Sequence, residues 1–91
     1  MSRYYQLEVR TIGTTEEDLY LVCCDKFGWS EESLDDTNFI GEGCLCGGKS
    51  EEEAHEEISK AIKEIKPEAK VKTQWTYLED LPYETYGDDI E

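Results

Sequence analysis

Residues 50–67 read SEEEAHEEISKAIKEIKP, and this stretch decides the fold because it specifies one amphipathic helix with clear ends. Ser50 and Glu53 have the spacing of a capping box, in which each side chain bonds the backbone N–H of the other residue. The apolar residues recur every three or four positions on one face and are Ala54, Ile58, Ala61, Ile62 and Ile65. Pro67 cannot continue a helix, so the helix is predicted to end just before it.

A strand pattern occupies residues 4–12, and another occupies residues 69–78. In the first pattern Tyr5, Leu7 and Val9 alternate with polar neighbours, which is the period of a half-buried strand. In the second pattern one face carries Val71, Thr73, Trp75 and Tyr77. Each segment is therefore predicted to be a strand with one face in the core.

A second helix is predicted between the first strand and residue 28. Thr15 offers a hydroxyl N-cap, and the acids that follow it suit the first turn, where the macrodipole favours negative charge. Gly28 stands where a left-handed C-terminal cap is wanted. The apolar stripe between them comprises Leu19, Tyr20, Val22, Cys23 and Phe27. Residues 19–24 are also compatible with a short buried strand, which periodicity alone does not distinguish from a helix.

The middle of the chain carries weaker patterns. Residues 29–38 are acidic and rich in turn-forming residues, so they are predicted to be an exposed connection. Phe39 and Ile40 are predicted to begin a short strand. Residues 41–48 contain four glycines, which favours either a special loop or a bulged edge strand.

The predicted order of elements is strand, helix, short strand, helix and strand. Such helices pack on one face of a small mixed sheet, so the expected fold class is α/β (α+β), a small two-layer sandwich of ferredoxin-like type. Residues 1–80 are predicted to form a single domain, followed by an acidic, aromatic-containing tail over residues 81–91. Two alternatives remain for this tail. Either Leu81, Pro82 and Tyr83 fold back over an edge of the sheet, or the segment is a mobile arm that presents aromatics and carboxylates to a partner.

The charge of the chain constrains its partners. The 91 residues include 23 acids and 9 bases, for a formal net charge of −14. Such a chain repels phosphate backbones and anionic lipid surfaces, so direct binding to nucleic acid or to a membrane is not expected. The predicted partner is instead a larger protein with a basic surface. The first residues lack the apolar run of a secretory signal, and no 18 consecutive residues are apolar, so a cytoplasmic location is expected.

Four cysteines allow a second class of function. In a reducing compartment these residues are expected to be free thiols or metal ligands rather than disulfides. Cys23 falls on the apolar stripe and is expected in the core, whereas the side chain of Cys24 is expected to point in another direction. A small metal-binding or thiol-redox protein that uses Cys24, Cys44 and Cys46 is therefore the alternative hypothesis. The only histidine, His55, is expected on the surface of its helix.

Residues 43–50 match the spacing of a phosphate-binding loop, with Lys49 and Ser50 placed before a helix. Three glutamates would stand in the first turn of that helix, where they repel phosphate, and the chain is too short for the sheet of such NTPases. The segment is therefore interpreted as the turn before the helix cap. No stretch carries a complete catalytic signature, so we expect neither enzymatic activity nor a cofactor.

Charge, size and the lack of a catalytic motif together predict a small acidic protein–protein interaction module. In general composition the chain resembles the small acidic proteins of phages and mobile elements, among them the anti-CRISPR inhibitors that mimic the charge of DNA. That resemblance implies an inhibitor that occupies a basic, nucleic-acid-binding surface of a larger protein. The expected contact residues are Glu31, Glu32, Asp35, Asp36, Tyr83, Glu84, Tyr86, Asp88 and Asp89. A homodimer formed through an edge strand is a further expectation.

Overall fold

The computed structural model describes residues 3–45, 50–77 and 83–88. The strands are β1 (Arg3–Ile12), β2 (Ser30–Leu34), β3 (Asn38–Leu45), β4 (Lys70–Tyr77) and β5 (Tyr83–Gly87). The helices are α1 (Glu16–Tyr20), which continues as a π-helical segment over Leu21–Lys26, and α2 (Glu51–Ile65). All strand pairs are antiparallel and the order across the sheet is β2-β3-β1-β4-β5. The protein is thus a small α+β fold with five strands, where the sequence predicts three.

The sheet has one face that the helices cover and one face that is open. Because paired residues share a face, the register of β1 with β4 places Leu7 beside Trp75 and Val9 beside Thr73 on the helix side. The buried apolar residues of the helices form a single core with these strand residues. An antiparallel sheet commonly buries one face and leaves the other to solvent. We call the solvent side the open face, and its residues from β1 are Tyr4, Gln6, Glu8, Arg10 and Ile12.

The first helix begins at the predicted N-cap and ends at the predicted glycine. Thr15 Oγ1 accepts a hydrogen bond from the Asp18 N–H at 3.2 Å, and Asp18 Oδ2 accepts one from the Thr15 N–H at 3.0 Å. Gly28 has a φ of +76°, and its N–H donates to Cys24 O at 3.0 Å. The strand alternative for residues 19–24 is therefore wrong, although the second half of this helix is π-helical rather than α-helical.

Residues 30–34 form a strand where the sequence predicts an exposed connection. This strand, β2, pairs with β3 from Ser30 opposite Glu42 to Leu34 opposite Phe39. The prediction is wrong because a strand at the edge of a sheet is exposed and tolerates acids, and composition alone does not distinguish such a strand from a loop.

The first glycines of the glycine-rich segment lie in β3, which pairs on both sides and is neither a loop nor an edge strand. A Cβ atom at Gly43 would lie 2.6 Å from Cε3 of Trp29. One at Gly41 would meet the backbone oxygen of Ser30 first, and it would also lie 2.6 Å from Cζ of Phe39. These glycines therefore admit two aromatic rings and, at Gly41, the close approach of the β2 backbone. Residues 46–48, the rest of the predicted loop, lie outside the described residues.

The helix α2 is confirmed together with its capping box, in which the Glu53 N–H donates to Ser50 Oγ at 3.1 Å. Four residues of the predicted stripe are buried, and the fifth, Ile65, is 43% exposed. The expectation that His55 lies on the surface is wrong, because β5 covers it and its Nδ1 lies 2.9 Å from Thr73 Oγ1. Within the described ranges no helix has the length and apolar character needed to cross a membrane.

The fifth strand comes from the segment predicted as a tail. It pairs with β4 from Tyr83 opposite Thr76 to Gly87 opposite Lys72, and it forms the edge of the sheet that lies farthest from β2. Residues 78–82 lie outside the described residues, and the predicted positions Leu81 and Pro82 are among them. The division into a domain over residues 1–80 and a tail over residues 81–91 stays a prediction.

Candidate functional site

Charge is distributed unevenly between the two sides of the sheet. In the described part of the chain the open face carries two acids and three bases, which are Glu8, Glu42, Arg10, Lys70 and Lys72. The helices, turns and sheet edges carry most of the remaining acids. A cationic partner is therefore attracted to the helix side and the edges rather than to the open face.

An acid-rimmed cleft lies between α1 and β2 on the helix side of the sheet. Its volume is about 320 Å³, and its lining residues are Glu16, Glu17, Tyr20, Glu31 and Leu34. Glu31 faces the helix side because it pairs with Gly41, which in turn pairs with the buried Leu7. Three acidic residues, one tyrosine and one leucine thus line the same cleft. We call this site the α1–β2 cleft.

Hydrogen bonds join the two walls of the α1–β2 cleft. Asp36 Oδ1 accepts from the Glu16 N–H at 2.9 Å, and Asp36 O accepts from Thr14 Oγ1 at 2.7 Å. Asp35 Oδ1 accepts from the Thr37 N–H at 2.9 Å, and this bond closes the turn between β2 and β3. Asp35 and Asp36, both predicted as partner contacts, are exposed and hold this turn against the start of α1.

The α1–β2 cleft suits a cationic group that has a flat apolar surface. A guanidinium group bonds carboxylates through its planar fork and stacks on aromatic rings, which adds about 0.5–2 kcal/mol of cation–π attraction. Glu16 and Glu17 precede Tyr20 by four and three residues, so the three side chains share one face of α1. The pKa of Cys24 is raised, first by burial and then by the negative charge of Glu31. The charge of Glu31 therefore acts on groups near this cleft. The arrangement is therefore able to bind an arginine side chain.

Only part of this cleft is predicted from the sequence. Glu16 and Glu17 are predicted to stabilise the helix dipole and Tyr20 to lie on the apolar stripe, whereas Tyr20 is 44% exposed. The spacing of three and four residues between the two acids and Tyr20 is the signal that could have identified a shared face. Of the predicted contacts Glu31 lines the cleft, and the neighbouring Glu32 is exposed on β2.

The remaining predicted contacts lie at the other edge of the sheet. Since β2 and β5 are the outermost strands, four strand spacings, or about 19 Å, separate them. Tyr83 and Glu84 are exposed on β5, whereas Tyr86 and Asp88 are partly buried. Asp89 lies outside the described residues. The structure therefore separates the predicted contact residues into two groups.

Two residues of the second group hold β5 in place. The Tyr86 ring stacks on His55 with centroids 6.0 Å apart. Its hydroxyl donates to Glu84, and this bond raises the pKa of Tyr86 to about 12. Asp88 Oδ2 accepts from the Val71 N–H at 2.9 Å, and this bond holds the pKa of Asp88 below its usual value. Because these groups stabilise β5, the α1–β2 cleft is the better candidate site.

The cysteines of the described ranges do not gather into one site. Cys23 is buried, and burial, with a smaller effect of Cys24, raises the pKa of its thiol to about 12. Cys44 is exposed at one end of the open face, and Cys46 lies outside the described residues. No three His, Cys, Asp or Glu side chains within those ranges are grouped as metal ligands would be. The metal-binding or thiol-redox hypothesis stays a prediction.

Comparison with known proteins adds no guide to function. No protein-family model, curated protein or solved structure matches this chain. The chemistry of the α1–β2 cleft is therefore the main indication of function.

Proposed function

We propose that this protein is a small acidic interaction module that binds a basic surface of a larger protein through the α1–β2 cleft. The observation that carries this proposal is that three acidic residues, Glu16, Glu17 and Glu31, line one cleft together with Tyr20. The net charge of −14 adds a long-range attraction that accelerates encounter with a basic partner. The cleft would fix the orientation of the bound partner, which net charge alone does not do.

The partner surface is one that normally binds nucleic acid. Such surfaces hold phosphates through lysine and arginine side chains, and a carboxylate competes for the same guanidinium fork. A protein that occupies this surface acts as an inhibitor, because nucleic acid and protein then exclude each other. Binding of this kind weakens as the salt concentration rises, since exposed charges are screened over about 8 Å at physiological ionic strength.

Two broader assignments belong to the same proposal. A ferredoxin-like architecture is supported by the antiparallel order β2-β3-β1-β4, with α1 between β1 and β2 and α2 between β3 and β4. The strand β5 then adds one edge to that arrangement. A cytoplasmic location is supported by three free thiols, those of Cys23, Cys24 and Cys44, because such thiols are typical of a reducing compartment.

The cleft is tested by removing its charges without changing its size. The variant Glu16→Gln/Glu17→Gln/Glu31→Gln is titrated calorimetrically with a peptide of about eight arginines in about 0.15 M NaCl. Each exposed charge contact contributes about 0.2–1 kcal/mol, so three of them correspond to a loss in affinity of about three-fold to 150-fold, with about 20-fold at the middle of that range.

A matched control removes three exposed carboxylates from elsewhere on the helix side. The variant Glu52→Gln/Glu64→Gln/Glu68→Gln has the same net charge as the cleft variant, and all three of its positions are exposed. We expect its affinity for the peptide to fall less than about three-fold, which reflects long-range attraction alone. Equal losses in the two variants would show that the cleft has no special role and would refute the proposal.

A further inference from the structure

The open face of the sheet is arranged symmetrically about one row of residues. Cross-strand pairing places Glu8 of β1 in a row with Ile40 of β3 and Gln74 of β4. Tyr4 and Ile12 lie four residues to either side of Glu8 along β1, and they are 46% and 51% exposed. A two-fold rotation about this row reverses the direction of β1 and exchanges the positions of Tyr4 and Ile12.

The charges of the open face follow the same pattern. Glu42 lies in the row on one side of Glu8, because it pairs with Gln6, and it makes no ion pair with another described residue. Arg10 lies in the row on the other side, and Lys72 is its cross-strand neighbour on β4. The same reversal of direction therefore places the acidic row over the basic row.

We propose that the open face binds the open face of a second copy of this chain, in a dimer whose two-fold axis runs along the Glu8 row. The β1 strands of the two copies then run antiparallel. Glu42 then lies over Asn38 of the second copy, one strand away from Arg10 of that copy, and Tyr4 contacts Ile12 of the second copy, each contact occurring twice by symmetry. This inference rests on the open face alone and is independent of the function proposed for the α1–β2 cleft, which lies on the other side of the sheet.

The side chains have the reach and the donors that this dimer needs. Stacked sheets pack about 10 Å apart and neighbouring strands lie about 4.8 Å apart, a separation that extended glutamate and arginine side chains span together. Arg10 Nε already donates to Glu8 Oε2 at 2.9 Å, but a guanidinium has further N–H donors for Glu42 of the second copy. Glu8 also accepts from Asn38 Nδ2 at 2.8 Å, and these two bonds offset repulsion between the Glu8 residues near the axis.

Charge favours a second copy as the occupant of the open face. This face has two acids and three bases, so two copies of a strongly acidic chain meet there with little repulsion. Their acidic helix sides then point away from each other, at a distance where salt screens them. The edges are less suitable for self-pairing, because β2 carries Glu31 and Glu32 and β5 carries Glu84, and like charges would meet.

The area of the open face is sufficient for a dimer of modest affinity. The five strands contain 36 residues in all, which at about 4.8 Å between strands and about 3.4 Å per residue span about 590 Å² on each copy. Two copies together bury at most about 1,200 Å², which is the lower limit of the range for stable interfaces. The expected dissociation constant is therefore micromolar rather than nanomolar.

Charge reversal at two positions tests this dimer. Sedimentation velocity of the full chain, over about 10–500 µM, should show a monomer–dimer equilibrium in the micromolar range. Glu42→Arg and Arg10→Glu each place like charges near one another across the interface, so each should raise the dissociation constant at least about ten-fold. The double variant Glu42→Arg/Arg10→Glu exchanges the two charges and should return the constant to within about three-fold of the original. Glu56→Arg makes the same charge change on an exposed position of α2 and should leave the dimer unchanged.

Two results would overturn the proposal. One is a chain that remains monomeric over the whole concentration range. The other is a dimer that both single variants leave intact, which would indicate pairing through an edge strand. Because Arg10 also bonds Glu8, the folding of Arg10→Glu is checked by thermal unfolding. If that variant does not fold, Glu42→Arg and Tyr4→Ser carry the test, and each should weaken the dimer at least about five-fold.

Discussion

Replacing Thr73 with valine removes one hydroxyl group from the centre of the core and leaves the shape of the side chain almost unchanged. Thr73 is fully buried, and its Oγ1 accepts a hydrogen bond from Trp75 Nε1 at 2.9 Å. The same oxygen lies 2.9 Å from His55 Nδ1. Since the indole N–H can only donate, the hydroxyl proton is free to go to His55, which then carries its own proton on Nε2. The substitution therefore leaves one buried donor and one buried acceptor without partners.

The expected loss of stability follows from those two groups. Each buried polar group left without a partner destabilises the native state by about 1–3 kcal/mol, so Thr73→Val should lower the free energy of unfolding by about 2–6 kcal/mol. A domain of this size has a total free energy of unfolding of about 5–14 kcal/mol, so the expected loss is a large fraction of the total. A loss of about 2 kcal/mol corresponds to a fall in Tm of at least about 8 °C.

Urea denaturation followed by circular dichroism measures this loss, and Thr85→Val is the matched control. Thr85 lies on the edge strand β5 and is exposed, so the same chemical change there should alter stability by less than about 0.5 kcal/mol. If Thr73→Val also costs less than about 0.5 kcal/mol, the shared hydroxyl does not stabilise the core, and the assignment of the His55 proton to Nε2 loses its basis.

Two further predictions concern His55 and the strand that covers it. Burial holds the pKa of His55 below its usual value, so the stability gained from neutral His55 is complete above about pH 6.5 and is lost as pH falls below that value. The difference in unfolding free energy between the native chain and His55→Gln should therefore shrink from about pH 7 to about pH 5, and a constant difference would contradict this. Gly87→Ala should release β5, because φ is +104° there and an added Cβ would lie 2.6 Å from His55 Cε1, so hydrogen exchange at β5 amides should accelerate. Gly28→Ala, with φ of +76° and no atom within 4 Å, should cost only about 1 kcal/mol and leave β5 protected.

The elements that were predictable from sequence each carry their own period. Tyr5, Leu7 and Val9 repeat every second residue, and the apolar residues of α2 repeat every three or four, so neither pattern depends on the rest of the fold. The capping residues Thr15 and Ser50 mark helix starts through local hydrogen bonds, and both are confirmed. Local signals of this kind can be recognised in a single sequence, because they do not depend on tertiary contacts.

The elements that were not predictable depend on neighbours that are distant in sequence. Gly41 and Gly43 favour a loop when only composition is considered, whereas in the fold they make room for the rings of Phe39 and Trp29. In the same way His55 is polar and stands in an acidic turn, yet β5 buries it. Packing space of this kind is a property of the assembled sheet and has no local period.

The candidate site was predictable in part for the same reason. Glu31 lies outside the apolar stripes, and sequence alone suffices to expect it on the surface. Tyr20 stands beside Leu19 in the chain, and only the packing of α1 on the sheet shows that Leu19 is buried while Tyr20 is exposed. The cleft also requires β2, which composition does not reveal, so its second wall has no signature in the sequence.

The central position of β1 has a consequence for how the chain folds during synthesis. β1 is made before the other four strands of this sheet, yet Arg10 pairs with Asn38 and Ile12 pairs with Lys70, so both neighbouring strands are made later. The hairpins β2–β3 and β4–β5 are local and form without waiting for distant segments, whereas pairing with β1 closes long loops and is slower. A nascent chain that has not yet reached β4 leaves one side of β1 without a strand, and an unpaired strand with an apolar face is prone to aggregate. The sheet is therefore completed only when most of the chain has left the ribosome.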